Sequence, residues 1–268
     1  MDKIQIKFDR FPNGHTKAAC FSFDDGREQD RRLVDLMNQY GLKGTFHLNT
    51  GFLGREGYIA AEEVRQLYLG HEVSAHTVNH PFLEQSPQEQ VIEEILSNRA
   101  ELEALVGYPV RGMSYPYGTY NDSVVAALPA VGIEYARTVQ SHGQFVMPAN
   151  LLTWHPTCHH KGMVEAARQF VDSKSRYSRM ELLFVWGHSF EFDNDNNWEL
   201  VDQLGSVLEE STGIWMATMS ELVSYTNALK SLRFSVNRKI VHNPSAVDVW
   251  ISAAGESVVI PAGALVNL

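Results

Sequence analysis

Residues 18–49 read AACFSFDDGREQDRRLVDLMNQYGLKGTFHLN. The apolar and aromatic run 18–23 has strand length and closes on Asp24-Asp25-Gly26, an amphipathic stretch fills 27–40, and a second β-rich run occupies 44–49. Strand, helix and strand in roughly 30 residues make a βαβ unit, which predicts a parallel sheet. The same alternation repeats outward. Further strands are expected at 71–76, 111–115, 134–138, 151–154, 181–187 and 214–217, and helices at 61–69, 87–106, 121–131, 161–174, 196–210 and 219–231, with Ser86-Pro87 and Asn121-Asp122 as helix-start signals. Repetition alone also suits an open doubly wound sheet; seven or eight βα units before residue 232 predict an α/β barrel. The rhythm then changes. Segments 232–241, 246–252 and 256–267 read as short strands punctuated by Asn243-Pro244, Gly255 and Pro261-Ala262-Gly263. The expected organisation is a barrel over 1–231 and a small C-terminal β appendage over 232–268.

Composition narrows the function classes. With 44% hydrophobic and 20% charged residues the 268-residue chain has a globular composition and can bury a full core. No stretch approaches the about 20 consecutive apolar residues of a membrane span, and the longest runs, such as Leu182-Leu-Phe-Val-Trp186, have strand length. A formal charge of −10 without a basic cluster argues against a nucleic-acid partner. Two cysteines, Cys20 and Cys158, make no disulfide framework, and Met1-Asp-Lys-Ile-Gln lacks the pattern of a secretory leader. A cytoplasmic location is the expectation, although a secreted chain trimmed of its leader would read the same.

Chemistry-bearing residues gather just after the strands, where α/β folds build their sites. Paired aspartates at the mouth of an apolar strand call for a nearby cation or a raised pKa, although Asp24-Asp25-Gly26 alone also reads as a helix start with an acidic first turn. The third strand runs into His76-Thr-Val-Asn-His80-Pro81. Histidines four apart can meet on one metal if the segment is a helical turn or tight loop, and an aspartate from another strand end would complete a three-ligand set with open positions. Ser114-Tyr-Pro-Tyr-Gly118 sets a rigid turn whose amides can face an oxyanion. The seventh strand delivers His188, placed for a general acid, with Glu191 or Asp193 near enough to raise its pKa. Asp193-Asn-Asp-Asn-Asn197 reads as a solvated loop leading into a helix.

Taken in order, FDDG at 23–26, HTVNHP at 76–81, YPYG at 115–118 and WGH at 186–188 resemble the polysaccharide deacetylase (NodB homology) family, carbohydrate esterase family four. The resemblance covers about residues 15–220. It implies a distorted (β/α)7 barrel that binds a divalent metal, usually zinc, and hydrolyses an acetamide or ester on an acetylated sugar. It also implies Asp25, His76 and His80 as metal ligands and Asp24 as general base. Tyr117 would lend its backbone amide to the oxyanion hole, and His188 would be the general acid.

The sequence departs from that pattern in three places. Ser114 stands where the family commonly has an arginine that pairs with the base, and the Asp-x-x-Asp-Trp element has no clear counterpart. The segment Trp154-His-Pro-Thr-Cys-His-His160 is unusual, and His155, His159 and His160 are expected to line the groove or add a ligand. Of two candidate replacements for the missing guanidinium, Arg111 starts its strand toward the barrel bottom, whereas Arg137 lies near the C-terminal end of the fifth strand, so Arg137 is expected to orient Asp24. The expected reaction is metal-assisted removal of an acetyl group from an N-acetylated sugar. The alternatives are a non-carbohydrate C–N bond, such as a cyclic imide, formamide or acylated amine, and a non-catalytic glycan-binding module.

Overall fold

The structure, a computed structural model, describes residues 3–174 and 180–268. Its centre is a parallel sheet of β1 (Lys17–Asp25), β2 (Gly44–Leu48), β3 (Glu72–Ala75), β4 (Gly112–Ser114), β5 (Tyr135–Arg137), β6 (Cys158–His159) and β7 (Glu181–His188), in the spatial order β5-β4-β3-β2-β1-β7-β6. An eighth strand, β8 (Ile214–Met216), pairs with the start of β1. The segment between β5 and β7 closes the ring. Trp154 pairs with β5, its N–H donating to Ala136 O at 2.9 Å and its carbonyl accepting from Thr138 N at 3.0 Å. Three residues on, Thr157 N donates to Phe184 O at 2.7 Å, and Cys158–His159 continue along β7. The result is a distorted (β/α)7 barrel.

The sixth strand therefore lies later than the expected 151–154. Residues Leu151–Thr153 form a 3₁₀ turn because Asn150 accepts Leu152 N with its side chain, and Pro156, which has no N–H, marks the point where pairing passes from β5 to β7. The helices are α1 (Asp30–Gln39), α2 (Val64–Leu67), α3 (Gln88–Val106), α4 (Asp122–Ala127), α5 (Met163–Asp172), α6 (Phe190–Asn194), α7 (Glu199–Glu209) and α8 (Met219–Ser231). Asn121 caps α4 by accepting Val124 N at 2.9 Å, and α4 ends earlier than expected, ahead of Pro129. The short α6 occupies the start of the stretch expected to be loop.

Strand alternation sorts the core into two layers. Phe21, Phe23, Phe46, Leu48, Val73, Met113 and Val185 face the helices. From the other face, Ala18, Cys20, Leu182 and Phe184 join Trp154, α8 and Val249, Ile251 and Ile260 of the C-terminal strands in a second apolar cluster. Further along that same face of β1 stand Ser22 and Asp24, both buried, so the inside changes from apolar to polar toward the strand ends. The C-terminal strands form two small antiparallel sheets. Val249–Ala253 pairs with Glu256–Ile260 and with the N-terminal Ile6–Lys7, a pairing the sequence pattern does not signal; Ile240–His242 pairs with Arg233–Phe234 and Leu265–Asn267. Among the described residues no helix is long and apolar enough to cross a membrane.

Candidate active site and metal centre

Side chains from five strands and a strand-end loop meet inside the barrel mouth, which only a closed sheet allows. Arg137 on β5 reaches across to β1: Nε donates to Ser22 Oγ at 2.8 Å, Nη2 donates to Asp24 Oδ2, and Nη1 donates to its neighbour Thr138 O at 3.1 Å. The indole of Trp186 lies 5.0 Å from the guanidinium carbon, closing a cation–π contact. Ser114 on β4 donates Oγ to the other carboxylate oxygen, Asp24 Oδ1, at 2.9 Å. His47 on β2 lies 2.8 Å from Ser22 Oγ through Nε2. Burial opposes ionisation of Asp24, but Arg137, helped by His76, His47 and His188, outweighs it and holds the carboxyl well below its usual range. Burial pushes His47 down to about 3, so it is neutral near pH 7.

His76 and His80 sit on a tight loop after β3 rather than on a helix. Asn49 donates Nδ2 to Thr77 O at 3.2 Å, buried Glu94 accepts Val78 N and Asn79 N at 2.9 Å each, and Asn98 accepts His76 N at 3.0 Å. Pinned this way, Thr77 and His80 hold left-handed backbone angles, φ 67° and 55°, and Asp25 holds φ 82°. Such conformations cost about 1–3 kcal/mol each and persist where the surroundings enforce them. The loop aims both rings at Asp25: His76 Nε2 is 3.6 Å and His80 Nε2 3.9 Å from Asp25 Oδ1.

The donor set fits a divalent cation. His76 Nδ1 lies 2.9 Å from Ser114 O, an oxygen that can only accept, so Nδ1 carries the proton and Nε2 keeps its lone pair toward Asp25. Burial, and then His76, lower His80 to about 4, so the His80 ring is neutral near pH 7. Two imidazole nitrogens and one carboxylate oxygen within 4.8 Å of one another are the kind of three-ligand set that leaves positions open on a catalytic zinc-type ion.

His188, at the end of β7, is in register beside Asp24 of β1. Its Nδ1 is 2.9 Å from Glu191 Oε2. Burial favours the neutral ring, but Glu191, with Asp24 and Asp25, outweighs it and raises His188 above its ordinary value. Asp193 is engaged elsewhere, accepting Trp198 Nε1 at 2.7 Å. Tyr117 occupies the left-handed centre of the Pro116–Gly118 turn, φ 56°, with its ring stacked on Phe82 at 3.8 Å and 4.4 Å from that of His80. Arg111 lies away from this cluster, donating Nη1 to Gly132 O at 3.2 Å, and half-buried His155 places Nδ1 2.6 Å from Thr138 Oγ1. Ser22 and His47, which support Arg137 from below, carry no motif; their only signal in the sequence is a polar residue on the inward face of an apolar strand.

The model of the family described as polysaccharide deacetylase matches residues 12–136, a little under half of the chain. A peptidoglycan-N-acetylglucosamine deacetylase of Bacillus cereus is 27% identical over 220 residues, covering 80% of this chain and 91% of that protein. A peptidoglycan-N-acetylglucosamine deacetylase of Listeria monocytogenes is 28% identical over 123 residues, and there the match spans 44% of this chain and only 26% of the relative. Among solved structures, the carbohydrate-esterase domain of a multidomain xylanase from the hindgut metagenome of Trinervitermes trinervoides superposes with a TM-score of 0.55 over 79% of this chain and 92% of that one, at 17% identity, a likeness of fold.

Proposed function

We propose that this chain is a metal-dependent deacetylase that hydrolyses the acetamide of an N-acetylated carbohydrate. The observation that carries the reading is the juxtaposition, on neighbouring strands, of a carboxylate held on both oxygens and a histidine backed by a carboxylate, beside an open Asp-His-His set. A divalent cation held by Asp25, His76 and His80, zinc being the expected ion, would supply Lewis acidity toward the acyl oxygen and lower the pKa of water. The chain's own residues do the rest. Asp24, fixed by Arg137 and Ser114, takes the proton of the attacking water. With Nδ1 of His188 committed to Glu191, Nε2 is the nitrogen left to protonate the departing amine. The left-handed turn at Tyr117 offers its backbone amide to the developing oxyanion. The stacked rings of Phe82 and Tyr117, 41% and 52% exposed beside His80, give a sugar ring an apolar face to lie on. The name of the Bacillus cereus relative supports an N-acetylglucosamine-containing glycan as substrate.

The test is acetate release from N-acetylglucosamine oligomers and peptidoglycan fragments by zinc-loaded protein, beside chelator-treated protein and Asp24→Asn. The expected result is release by the loaded wild type alone, with Asp24→Asn retaining its metal. No release from any N-acetylated glycan, with turnover of small amides or imides instead, overturns the carbohydrate assignment.

A further inference from the structure

The segment that closes the barrel ends in His159 and His160, and both rings turn toward α6. There the carboxylate of Glu191 meets three imidazoles on one oxygen: from Oε2 it is 2.9 Å to His188 Nδ1, 3.0 Å to His159 Nε2 and 3.6 Å to His160 Nδ1. Hydrogen bonds account for the first two. They leave His160 unexplained. Its ring is fully buried, and among the described residues neither Nδ1 nor Nε2 has a hydrogen-bond partner. A buried polar atom left unpaired costs about 1–3 kcal/mol, so such a group calls for a missing partner. The fold also makes room for this ring, because a Cβ on Gly187 would stand 2.2 Å from His160 Nδ1.

The chemistry of the missing partner follows from the donors. Burial, and next His159, lower His160 to about 3, so its ring is neutral at neutral pH and one of its two nitrogens offers a lone pair, as a metal ligand requires. Burial disfavours the Glu191 carboxylate, but the hydrogen bonds from His159 and His188 outweigh it and hold Glu191 well below its usual range. Lys161 is the competing cation, and it is drawn aside: Nζ is 2.7 Å from Asp195 Oδ2 and 3.9 Å from Glu191 Oε1, the oxygen away from the histidines. Tetrahedral zinc bonds of about 2.0–2.1 Å place neighbouring ligand atoms roughly 3.3 Å apart. The separations of 3.0 and 3.6 Å from Glu191 Oε2 bracket that spacing.

We propose that His159, His160 and Glu191 form a second divalent-cation site, with two imidazole nitrogens and one carboxylate oxygen suited to zinc or cobalt. It borders the first site through Glu191, which holds His188. The inference does not rest on the deacetylase reading.

Metal counting tests it. Protein stripped with chelator is loaded with Zn²⁺, freed of loose ion by gel filtration and measured by elemental analysis, and a parallel Co²⁺ titration is followed in the visible spectrum. Wild type should hold two ions per chain and His80→Ala one. His159→Gln and His160→Gln should each lose one ion and keep the other. Because His160 is buried, circular dichroism accompanies its variant, and the partly exposed His159 carries the test if the His160 variant misfolds. One ion in the wild type that His159→Gln leaves in place, or two in His159→Gln, overturns the second site. Loss of the ion with His159→Gln but not with His80→Ala would uphold it and overturn the first site instead.

Discussion

Asp24 and Arg137, 113 positions apart in sequence, form a buried ion pair across the interior of the barrel. Ser22 and Thr138 hold the guanidinium while its third nitrogen serves the carboxylate, so the pair is fixed in one geometry. Removing one partner of a buried pair leaves an uncompensated charge and costs about 3–5 kcal/mol. Arg137→Ala should therefore unfold at much lower denaturant, and kcat should fall about 100-fold as Asp24 loses its orientation, with metal content retained. Arg137→Lys should recover part of the stability and little of the rate, since an ammonium cannot reproduce the fork. Arg111→Ala, on the exposed rim, should stay within about 0.5 kcal/mol and turn over normally. Wild-type kcat in Arg137→Ala would remove the orienting role.

Ser114 joins Asp24 and His76. Its Oγ donates to Asp24 and lies 2.7 Å from His76 Nδ1, while its carbonyl independently accepts from His76. Ser114→Ala deletes only the hydroxyl. A hydrogen bond to a charged group contributes about 1.5–3 kcal/mol, so kcat/KM should drop roughly 10- to 100-fold while zinc affinity changes little. Isothermal titration of zinc beside steady-state kinetics separates the two. A loss of zinc as large as the loss of rate would mean that the hydroxyl, rather than the carbonyl, sets the ring of His76.

The parts of this site that sequence exposes are those carried by one strand end at a time. Asp24-Asp25 and Arg137 terminate strands whose period-2 pattern is plain, and His76 and His80 follow the end of another, so their level in the barrel can be read from position alone. Contacts between strand ends are a different matter. Glu191 beside His188 is legible from their three-residue spacing, but nothing local to Glu191 announces that His159 and His160 converge on it too, because that requires the closure of β6 on β7. The position of β6 is obscured for a related reason: a strand that pairs with one neighbour before a proline and with another after it has no continuous periodicity. Ser22 and His47 look like ordinary alternation inside apolar strands, and only the arrival of Arg137 gives them a function.

Glu191 should set the alkaline limb of activity. His188 is raised above its ordinary 6.5 despite burial, chiefly by Glu191 and then by Asp24 and Asp25. As a protonated acid it works below its folded pKa, so kcat/KM should hold past the ordinary 6.5 and decline as pH rises through the raised folded value. Its stabilising contribution follows the same sense, fully present below 6.5 and lost as pH rises through the folded value. Glu191→Gln should move the alkaline limb to lower pH without moving the acid limb. His188→Ala should depress amide hydrolysis far more than hydrolysis of an activated ester, whose leaving group needs no proton. Unchanged limbs in Glu191→Gln, or equal losses on both substrates in His188→Ala, would take the acid role from this histidine.

Asp30, at the start of α1 beneath the mouth, makes the fold itself pH-dependent. It is fully buried, accepts Tyr68 OH at 2.6 Å, and is pushed up to about 7, first by burial, with Asp25 and Asp24 adding to it against the nearby Ser189 hydroxyl and the hydrogen bond from Tyr68. The sign follows from linkage. An acid whose folded pKa lies above its ordinary value leaves stability whole below about 4 and withdraws it as pH rises toward and through about 7. Asp30→Asn keeps an acceptor for Tyr68 and removes the charge. The variant should lie within about 1 kcal/mol of the wild type near pH 4.5 and exceed it at pH 8 by on the order of 2–4 kcal/mol, because a tenfold weaker acid in the folded chain than in the unfolded one corresponds to about 1.4 kcal/mol. Urea unfolding of both proteins in chelator, at pH 4.5 and pH 8, measures the difference directly and cancels the histidines that titrate in both. Parallel pH dependence in the two proteins would mean that Asp30 ionises without cost, its charge balanced by groups other than those that surround it here.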